Sequence, residues 1–337
     1  VSDSQLRPNV AIVCAVFNEE RVLREKIENF FSLDYKNIHL YIGSDGSYDK
    51  TNDIINEYST EQRIHAFFFP RRGKVHVIND LMNLASADIL VFTDANTMFD
   101  KQAVEKLVNI FVQNCSVGAV CGRLILLDHS GVSGEGFYWR YETFIKRLEN
   151  RVDCVIGANG AIYAVRKKLL KPLPTNTIND DFTISMNVLQ QGFGVKYEES
   201  AIAYEEANHD HVEFKRHVRD GAGHYRAMAY FWRLLNPFKG KLFFLYVSHR
   251  VIRWIVPFLL LYVYSCAIFL ATEKEMAIIV WPLFLFMINA IVGYCTKTRI
   301  KLFYIPFYFL YINFALLCGF FRNLLGIQKV TWNSTQR

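Results

Sequence analysis

Three uncharged apolar runs near the end of the chain constrain its fold most: Trp254–Ala271, Met276–Cys295 and Leu302–Phe321. Each is long enough as a helix to cross a hydrocarbon core of ~30 Å. One such run fits the buried helix of a soluble core. Three within about 70 residues, joined by short polar links, read as a membrane segment. Ahead of them, Tyr225–Arg253 mixes aromatics with His and Arg, as in Trp232, Pro237, Phe243, Phe244, Arg250 and Arg253. That mixture suits an interfacial collar leading into the first span.

Charge separates the two parts of the chain. Residues 1–239 carry 28 Lys+Arg and 30 Asp+Glu, a net −2, whereas residues 240–337 carry 10 and 2, a net +8. The overall +6 therefore belongs to the apolar part, where it reads as membrane topology. No basic stripe marks the first 239 residues, so a nucleic-acid groove is excluded. The link Lys297, Arg299, Lys301 is basic and the other link, Glu273-Lys274-Glu275, is not. The positive-inside rule puts the basic link in the cytoplasm with the polar domain and the tail outside. The expected location is thus multi-pass in a plasma or inner membrane. Seven scattered cysteines without a C-x-x-C pair fit a reducing compartment better than a zinc site or disulfide framework. The N-terminus at Val1 shows no signal-peptide pattern, and a further helix upstream is compatible with it.

The first 239 residues alternate strand and helix signals. Strands are expected at Val10–Val16, Ile38–Ile42, Ile64–Phe69 and Ile89–Thr93. Helices are expected over Asn18–Phe31, Tyr48–Tyr58 and Val75–Ala85. Such alternation gives an α/β fold, an open and mostly parallel sheet covered by helices. Ligands of these sheets bind outside the carboxyl ends of the strands. The segments at those ends are polar: Phe17-Asn18-Glu19-Glu20, Ser44-Asp45-Gly46-Ser47, Arg71-Arg72-Gly73-Lys74 and Asp94-Ala95-Asn96. Neither G-x-G-x-x-G nor G-x-x-x-x-G-K-[ST] occurs, so the dinucleotide and P-loop fingerprints are missing. Asp45 alone suits a turn before Gly, and Asp94 alone an N-cap or Asx turn. At successive strand ends of one sheet they point to a nucleotide site. A carboxylate and a carbonyl oxygen two residues apart can hold a hard divalent ion on phosphates, and Lys74 can neutralise a phosphate.

The motifs in order are A-V-F-N-E-E (15–20), S-D-G-S (44–47), R-G-K (72–74), T-D-A-N (93–96), G-A-N-G-A-I-Y (157–163), N-D-D-F-T-I-S (179–185), R-H-V-R-D (216–220) and W-N-S-T-Q-R (332–337). With this set the chain resembles the family-2 glycosyltransferases of GT-A fold, in particular the membrane-attached polysaccharide synthases. The resemblance implies a GT-A domain over residues 1–224, interfacial helices over 225–253, three transmembrane helices over 254–322 and a tail over 323–337. It implies that Glu19 and Asp45 contact the nucleoside of a UDP-sugar and that Lys74 assists the donor. Asp94 and Asn96 stand where the family has D-x-D, which holds Mg²⁺ or Mn²⁺ on the diphosphate. Asn96 replaces the second Asp; its amide oxygen can still ligate a hard ion but brings no charge. Asp181 takes the place of the general base. Asp180 beside it replaces a Glu, and adjacent carboxylates can raise one another's pKa. Acids also suit a helix N-terminus, and Phe182–Leu189 reads as a helix. Asn159, Gly160, Asp180, Arg216 and Arg219 fall on the acceptor and diphosphate side. Arg216 and Asp220 replace the Gln and Trp of the processive Q-x-x-R-W motif, while Arg219 is retained. Without the Trp a stacking platform for a growing chain is missing.

Two further features have plain alternatives. His209-Asp210-His211 lacks a third soft ligand nearby and reads as a surface loop. Tyr138-Trp139-Arg140-Tyr141-Glu142 suits either a sugar site or the packing of an amphipathic helix. The expected function is inverting transfer from a nucleotide-sugar to a lipid-linked or glycan acceptor in cell-surface glycan synthesis, with possible partner subunits for export. The competing readings are a processive chitin-, hyaluronan- or cellulose-like synthase and a non-enzymatic nucleotide-sensing membrane protein.

Overall fold

The computed structural model describes residues 7–127, 137–206, 210–272, 274–298 and 300–330; side chains at 137–139, 210–213, 274 and 279 are not among them. The side chains of Tyr138, Trp139 and His209-Asp210-His211, and the motif at 332–337, therefore lie outside the described residues. The chain divides into two compact units, one of Val1–Asn208 with Lys329–Arg337 and one of His209–Gln328.

The first unit is built on one eight-stranded sheet of order β3-β2-β1-β4-β7-β6-β8-β5. Its central strand β1 (Val10–Val16) is a run of apolar residues, all seven buried. A strand covered on both faces needs that composition. β1 pairs in parallel with β2 (Ile38–Asp45) on one side and β4 (Ile89–Thr93) on the other. β3 (Ile64–Phe69) adds in parallel outside β2. β7 (Tyr163–Arg166) then runs antiparallel to β4 and to β6 (Val117–Leu127). β8 (Gly194–Glu206) is parallel to β6, and the short β5 (Met98–Phe99) is antiparallel to β8. The sheet is thus mostly parallel, as expected. β2 runs three residues beyond the expected Ile42, because Gly43, Ser44 and Asp45 continue its ladder against Phe67, Phe68 and Phe69. Asp45 is accordingly a strand residue and not a turn residue.

Helices α1 (Leu23–Phe31), α2 (Thr51–Glu57), α3 (Lys74–Leu84) and α4 (Ala103–Gln113) connect the strands. α1 starts at Leu23 and not at Asn18, whose φ of 53° is left-handed. The core beneath α1 and α4 joins Ile12, Leu40 and Val91 of the sheet to Ile27, Phe30, Leu107 and Phe111. α5 (Phe137–Asn150) and α6 (Asp180–Gln190) complete this unit. Because β1 to β4 are parallel and in register, Val16, Asp45, Phe69 and Thr93 end at one edge of the sheet.

The second unit is helical. α7 (Asp210–Tyr230) is followed by α8 (Lys241–Tyr246), a π-helical segment at Val247–Val251 and α9 (Ile252–Leu270). Lys241–Leu270 forms one continuous apolar helix, which begins ahead of Trp254. α10 (Ala277–Thr296) and α11 (Lys301–Leu324) follow. Among the described residues two helices, Lys241–Leu270 and Lys301–Leu324, are long and apolar enough to cross a membrane, and α10 is a further apolar helix of 20 residues. α7 and α11 touch backbone to backbone. A Cβ on Gly319 would lie 2.6 Å from the Val218 carbonyl oxygen, and one on Gly221 would lie 3.2 Å from Leu316 Cα. Small residues permit that approach.

Candidate active site

The segments at the ends of β1, β2 and β3 are tied to one another. Asp45 is fully buried, and both its oxygens face the loop that follows β3. Oδ1 accepts the Arg72 backbone N–H at 2.7 Å, Oδ2 accepts that of Gly73 at 2.9 Å, and the Arg71 guanidinium donates to Oδ2 as well. Gly73 holds φ 104° and ψ 153°, a conformation open to glycine and strained for other residues. The guanidinium of Arg71 also lies over the Phe17 ring, 3.3 Å from its centroid. Asn18 closes the lattice: its N–H donates to Ser47 Oγ at 3.1 Å and its side chain accepts from the Tyr48 N–H at 3.0 Å. Glu19 is half-buried, and its N–H donates to Thr51 Oγ1 at 2.8 Å.

A second group of charges lies between β4, α3 and α6. Lys74, the first residue of α3, donates to Asp94 Oδ1 at 2.8 Å and lies 3.6 Å from Asp180 Oδ1. Burial opposes the charged form of Lys74. The carboxylates of Asp180 and Asp94 outweigh it, and its pKa is raised above the ordinary lysine range. Asp180 and Asp181 open α6, where the helix N-terminus favours acids. The Asp181 carboxylate accepts the Phe182 N–H at 2.7 Å, and Ser185 Oγ donates to the Asp181 carbonyl at 2.9 Å. Gly160 faces both acids: a Cβ there would lie 3.7 Å from Asp181 Oδ2 and 3.7 Å from Asp94 Oδ2. Lys74, Asp94, Gly160, Asp180 and Asp181 thus converge on one point beside the sheet edge.

The other expected residues stand differently. Asn159 spends its amide on the backbone, donating to Gly122 O at 3.1 Å and accepting from Ile162 N at 3.2 Å. It shapes the loop that carries Gly160. Arg216 and Arg219 belong to α7 in the second unit. Arg216 pairs with Asp220 at 3.7 Å, and the Nε of Arg219 is buried without a hydrogen bond.

Among the described residues no three His, Cys, Asp or Glu side chains cluster as a metal site. The donors present still fit a hard divalent ion. The Asp94 side chain is 39% exposed, and among the described residues the half-buried Asn96 side chain has no hydrogen-bond partner. Lys74 already places a cation on Asp94, so the spot attracts positive charge. An ion of the Mg²⁺ class takes one or two protein donors and draws its other ligands from phosphates and water.

Sequence reasoning missed three residues. Arg71 was visible as part of a basic run, but its partner Asp45 was not. Tyr163 ends the G-A-N-G-A-I-Y segment; its hydroxyl is buried without a hydrogen bond, and the residue lines one cavity with Lys74, Asp94 and Asp180. Burial first, and then the nearby Asp180 and Asp181, push the Tyr163 pKa well above the ordinary tyrosine value. Lys26 is buried on α1, donating to Thr93 Oγ1 at 3.0 Å and to the Thr97 carbonyl at 2.5 Å. These two threonines bracket Asp94–Asn96, and the Thr97 N–H closes the turn on the Asp94 carbonyl at 3.3 Å. The signal for Lys26 was its spacing, since it shares a helical stripe with Leu23, Ile27 and Phe30.

Comparison with known proteins agrees with this fold. Residues 11–171 match the glycosyl transferase family 2 model. The poly-β-1,6-N-acetyl-D-glucosamine synthase of Staphylococcus epidermidis is 26% identical over 213 residues, covering 60% of this chain and 51% of the relative. The enzyme of the same name from Staphylococcus aureus is 24% identical over 204 residues, covering 58% and 49%. The chain therefore spans about half the length of the curated relatives it matches. Among solved structures, a mannosyltransferase from Pyrobaculum calidifontis in complex with GDP-Man and Mn²⁺ has a TM-score of 0.72 at 18% identity. That match covers 95% of this chain and 88% of the other, and the likeness is one of fold. The doubly wound sheet and the matched segment lead to one assignment: residues 11–171 form a family-2 glycosyltransferase domain, of the GT-A fold.

Proposed function

We propose that the chain is a membrane-attached, inverting glycosyltransferase that moves a sugar from a UDP-sugar to a lipid-linked or polysaccharide acceptor in cell-surface glycan synthesis. The observation that carries this reading is the approach of Asp94 and Asp181 to a common point at Gly160, with Lys74 beside it. Asp94 and Asn96 are the residues that would hold Mg²⁺ or Mn²⁺. When bound, the ion would offset charge on the departing nucleoside diphosphate. Lys74 adds a fixed positive charge at the same place, which favours a leaving group that gains negative charge. Glu19 and the loop that Asp45 organises receive the nucleoside.

Asp181 accepts the proton of the acceptor hydroxyl, whose oxygen attacks the anomeric carbon opposite the leaving group. Asp180 keeps Lys74 turned towards the site. Arg216 and Arg219 remain proposed for the acceptor or diphosphate side. The two membrane-length helices support attachment, which would raise the local concentration of a lipid-borne acceptor. The proposed placement keeps the catalytic domain cytoplasmic.

The relatives' names make N-acetylglucosamine the first donor sugar to try. They also favour a second reading, processive polymer synthesis. Asp220 speaks against it, because an Asp in place of the Trp of the processive motif offers no aromatic platform.

The test is nucleotide release by purified, detergent-solubilised protein, with UDP-sugars and GDP-mannose compared in Mg²⁺ or Mn²⁺. Membrane lipid extract serves as acceptor, and Asp181→Asn runs in parallel. UDP release with one sugar, lost in the variant while UDP still binds, is the expected result. Nucleotide binding without turnover on any donor would move the reading to a nucleotide sensor. The length of the product separates single addition from polymerisation.

A further inference from the structure

Helix α5 is built inside out for a soluble helix. Its charged residues Glu142, Lys146 and Glu149 are buried, and Glu149 is only 2% exposed. Its apolar residues Tyr141, Phe144 and Leu148 are exposed, and Val152 just beyond its end continues their stripe. Phe144 is 56% exposed. Steps of three and four residues place both sets on continuous helix faces. The sequence pattern suited core packing of the aromatic residues, but here the charges take the inward face. They have reasons to be there. Glu149 accepts the Ile156 N–H at 3.0 Å, and Lys146 Nζ sits 5.8 Å from the Tyr197 ring centroid. These inward contacts fix the roll of the helix, so it cannot turn its apolar stripe into the core.

The outward face also carries one sign of charge. Arg140, Arg147 and Arg151 are exposed beside the apolar stripe, and no acid of α5 shares that face. Arg147 is partly neutralised by Glu199, with Nε and Oε2 2.9 Å apart. Arg140 and Arg151 have no ion-pair partner among the described residues. An aromatic and aliphatic stripe flanked by arginines is the composition of a helix lying in a membrane interface. A second copy of the chain fits this face poorly, since an isologous contact would set arginines against arginines.

We infer that α5 is a docking surface for anionic lipid, with Phe144 and Leu148 entering the headgroup boundary and Arg140 and Arg151 meeting lipid phosphates. Basic residues near such a surface are attracted to its negative potential. The inference rests on the membrane-attached reading, and its test separates the two. The full chain is placed in nanodiscs of phosphatidylcholine, with and without about 30 mol% phosphatidylglycerol, and hydrogen–deuterium exchange is followed at residues 140–152. Exchange there should slow about tenfold in the anionic discs relative to the neutral ones. The double variant Phe144→Glu/Leu148→Glu, with unchanged circular dichroism, should lose that protection. Equal exchange in both lipids overturns the inference while leaving attachment intact. Protection that instead grows with protein concentration in detergent assigns the face to a second copy and overturns it as well. A chain that stays soluble without detergent and does not enter the discs overturns attachment, and this inference with it.

Discussion

The ammonium of Lys74 lies 2.8 Å from the carboxylate of Asp94 and bridges towards Asp180 at 3.6 Å. One half-buried cation therefore holds the end of β4 against the start of α6. Lys74→Met keeps the stem and removes the charge. Asp94 and Asp180 would then face each other without a counter-ion, and with Asp94 39% exposed the loss costs about 1 kcal/mol. Urea unfolding should show that loss. Donor kcat/KM should fall about 100-fold or more, through the missing charge at the leaving group. Because the Lys74 pKa is raised, the ammonium persists throughout the neutral range and contributes no pH dependence there. A variant with wild-type kcat/KM would remove Lys74 from the reaction.

Asp45 faces backbone. Its oxygens are taken up by the N–H groups of Arg72 and Gly73 and by the guanidinium of Arg71. Asp45→Asn would turn an amide N–H₂ against at least one of these donors. An unsatisfied buried group of this kind costs about 1–3 kcal/mol. Nucleotide affinity should weaken about tenfold, because the Arg71–Lys74 loop loses its anchor. Calorimetric titration with UDP checks the affinity, and limited proteolysis after Arg71 or Arg72 checks the loop. Weakened affinity with an unaltered loop would assign Asp45 to the base alone.

How far the fold was legible follows from which forces act locally. β1 and β4 begin and end where their apolar runs do, since buried parallel strands need continuous apolar residues, and the partly buried edge strand β3 follows its aromatic run. β2 was read short because Gly43-Ser44-Asp45 carries no apolar signal and is held in the sheet by β3. The pairing of Asp94 with Lys74 joins residues 20 apart in sequence, so strand order alone hinted at it. The orientation of α5 was illegible for a different reason. Its periodicity defines two faces but does not say which one turns inward, and buried charges reversed the usual choice.

Gly160 separates stability from chemistry. A methyl placed there would meet Asp94 and Asp181 at 3.7 Å, an ordinary van der Waals distance. Gly160→Ala should therefore fold with a Tm within about 2 °C of the parent. The methyl would stand between the donor-side acid and the proposed base, where reacting atoms must approach. Small misplacements of that kind cost about 100-fold in rate. The expected pattern is a fall in kcat with UDP affinity nearly unchanged. Full activity would show that the reaction takes place away from this point.

Lys26 makes a prediction about pH. Burial, only partly offset by Cys14, Asp94 and Glu205, lowers its pKa from 10.5 to about 8. The unfolded chain keeps the ordinary value, so between those two pH values the unfolded state holds a proton that the folded state has released. Stability from this group must then rise with pH across that window, by about 3 kcal/mol at most. Cys14 and Tyr35 act in the opposite sense at higher pH, because burial raises each of them to about 12. The difference between wild type and Lys26→Met largely removes those contributions. Below pH 8 the variant avoids burying a charge but gives up the hydrogen bonds to Thr93 and Thr97. Between pH 8 and pH 10 the wild type should gain on the variant steadily, as measured by urea unfolding under reducing conditions. A flat difference across this range would mean that Lys26 stays charged in the folded protein.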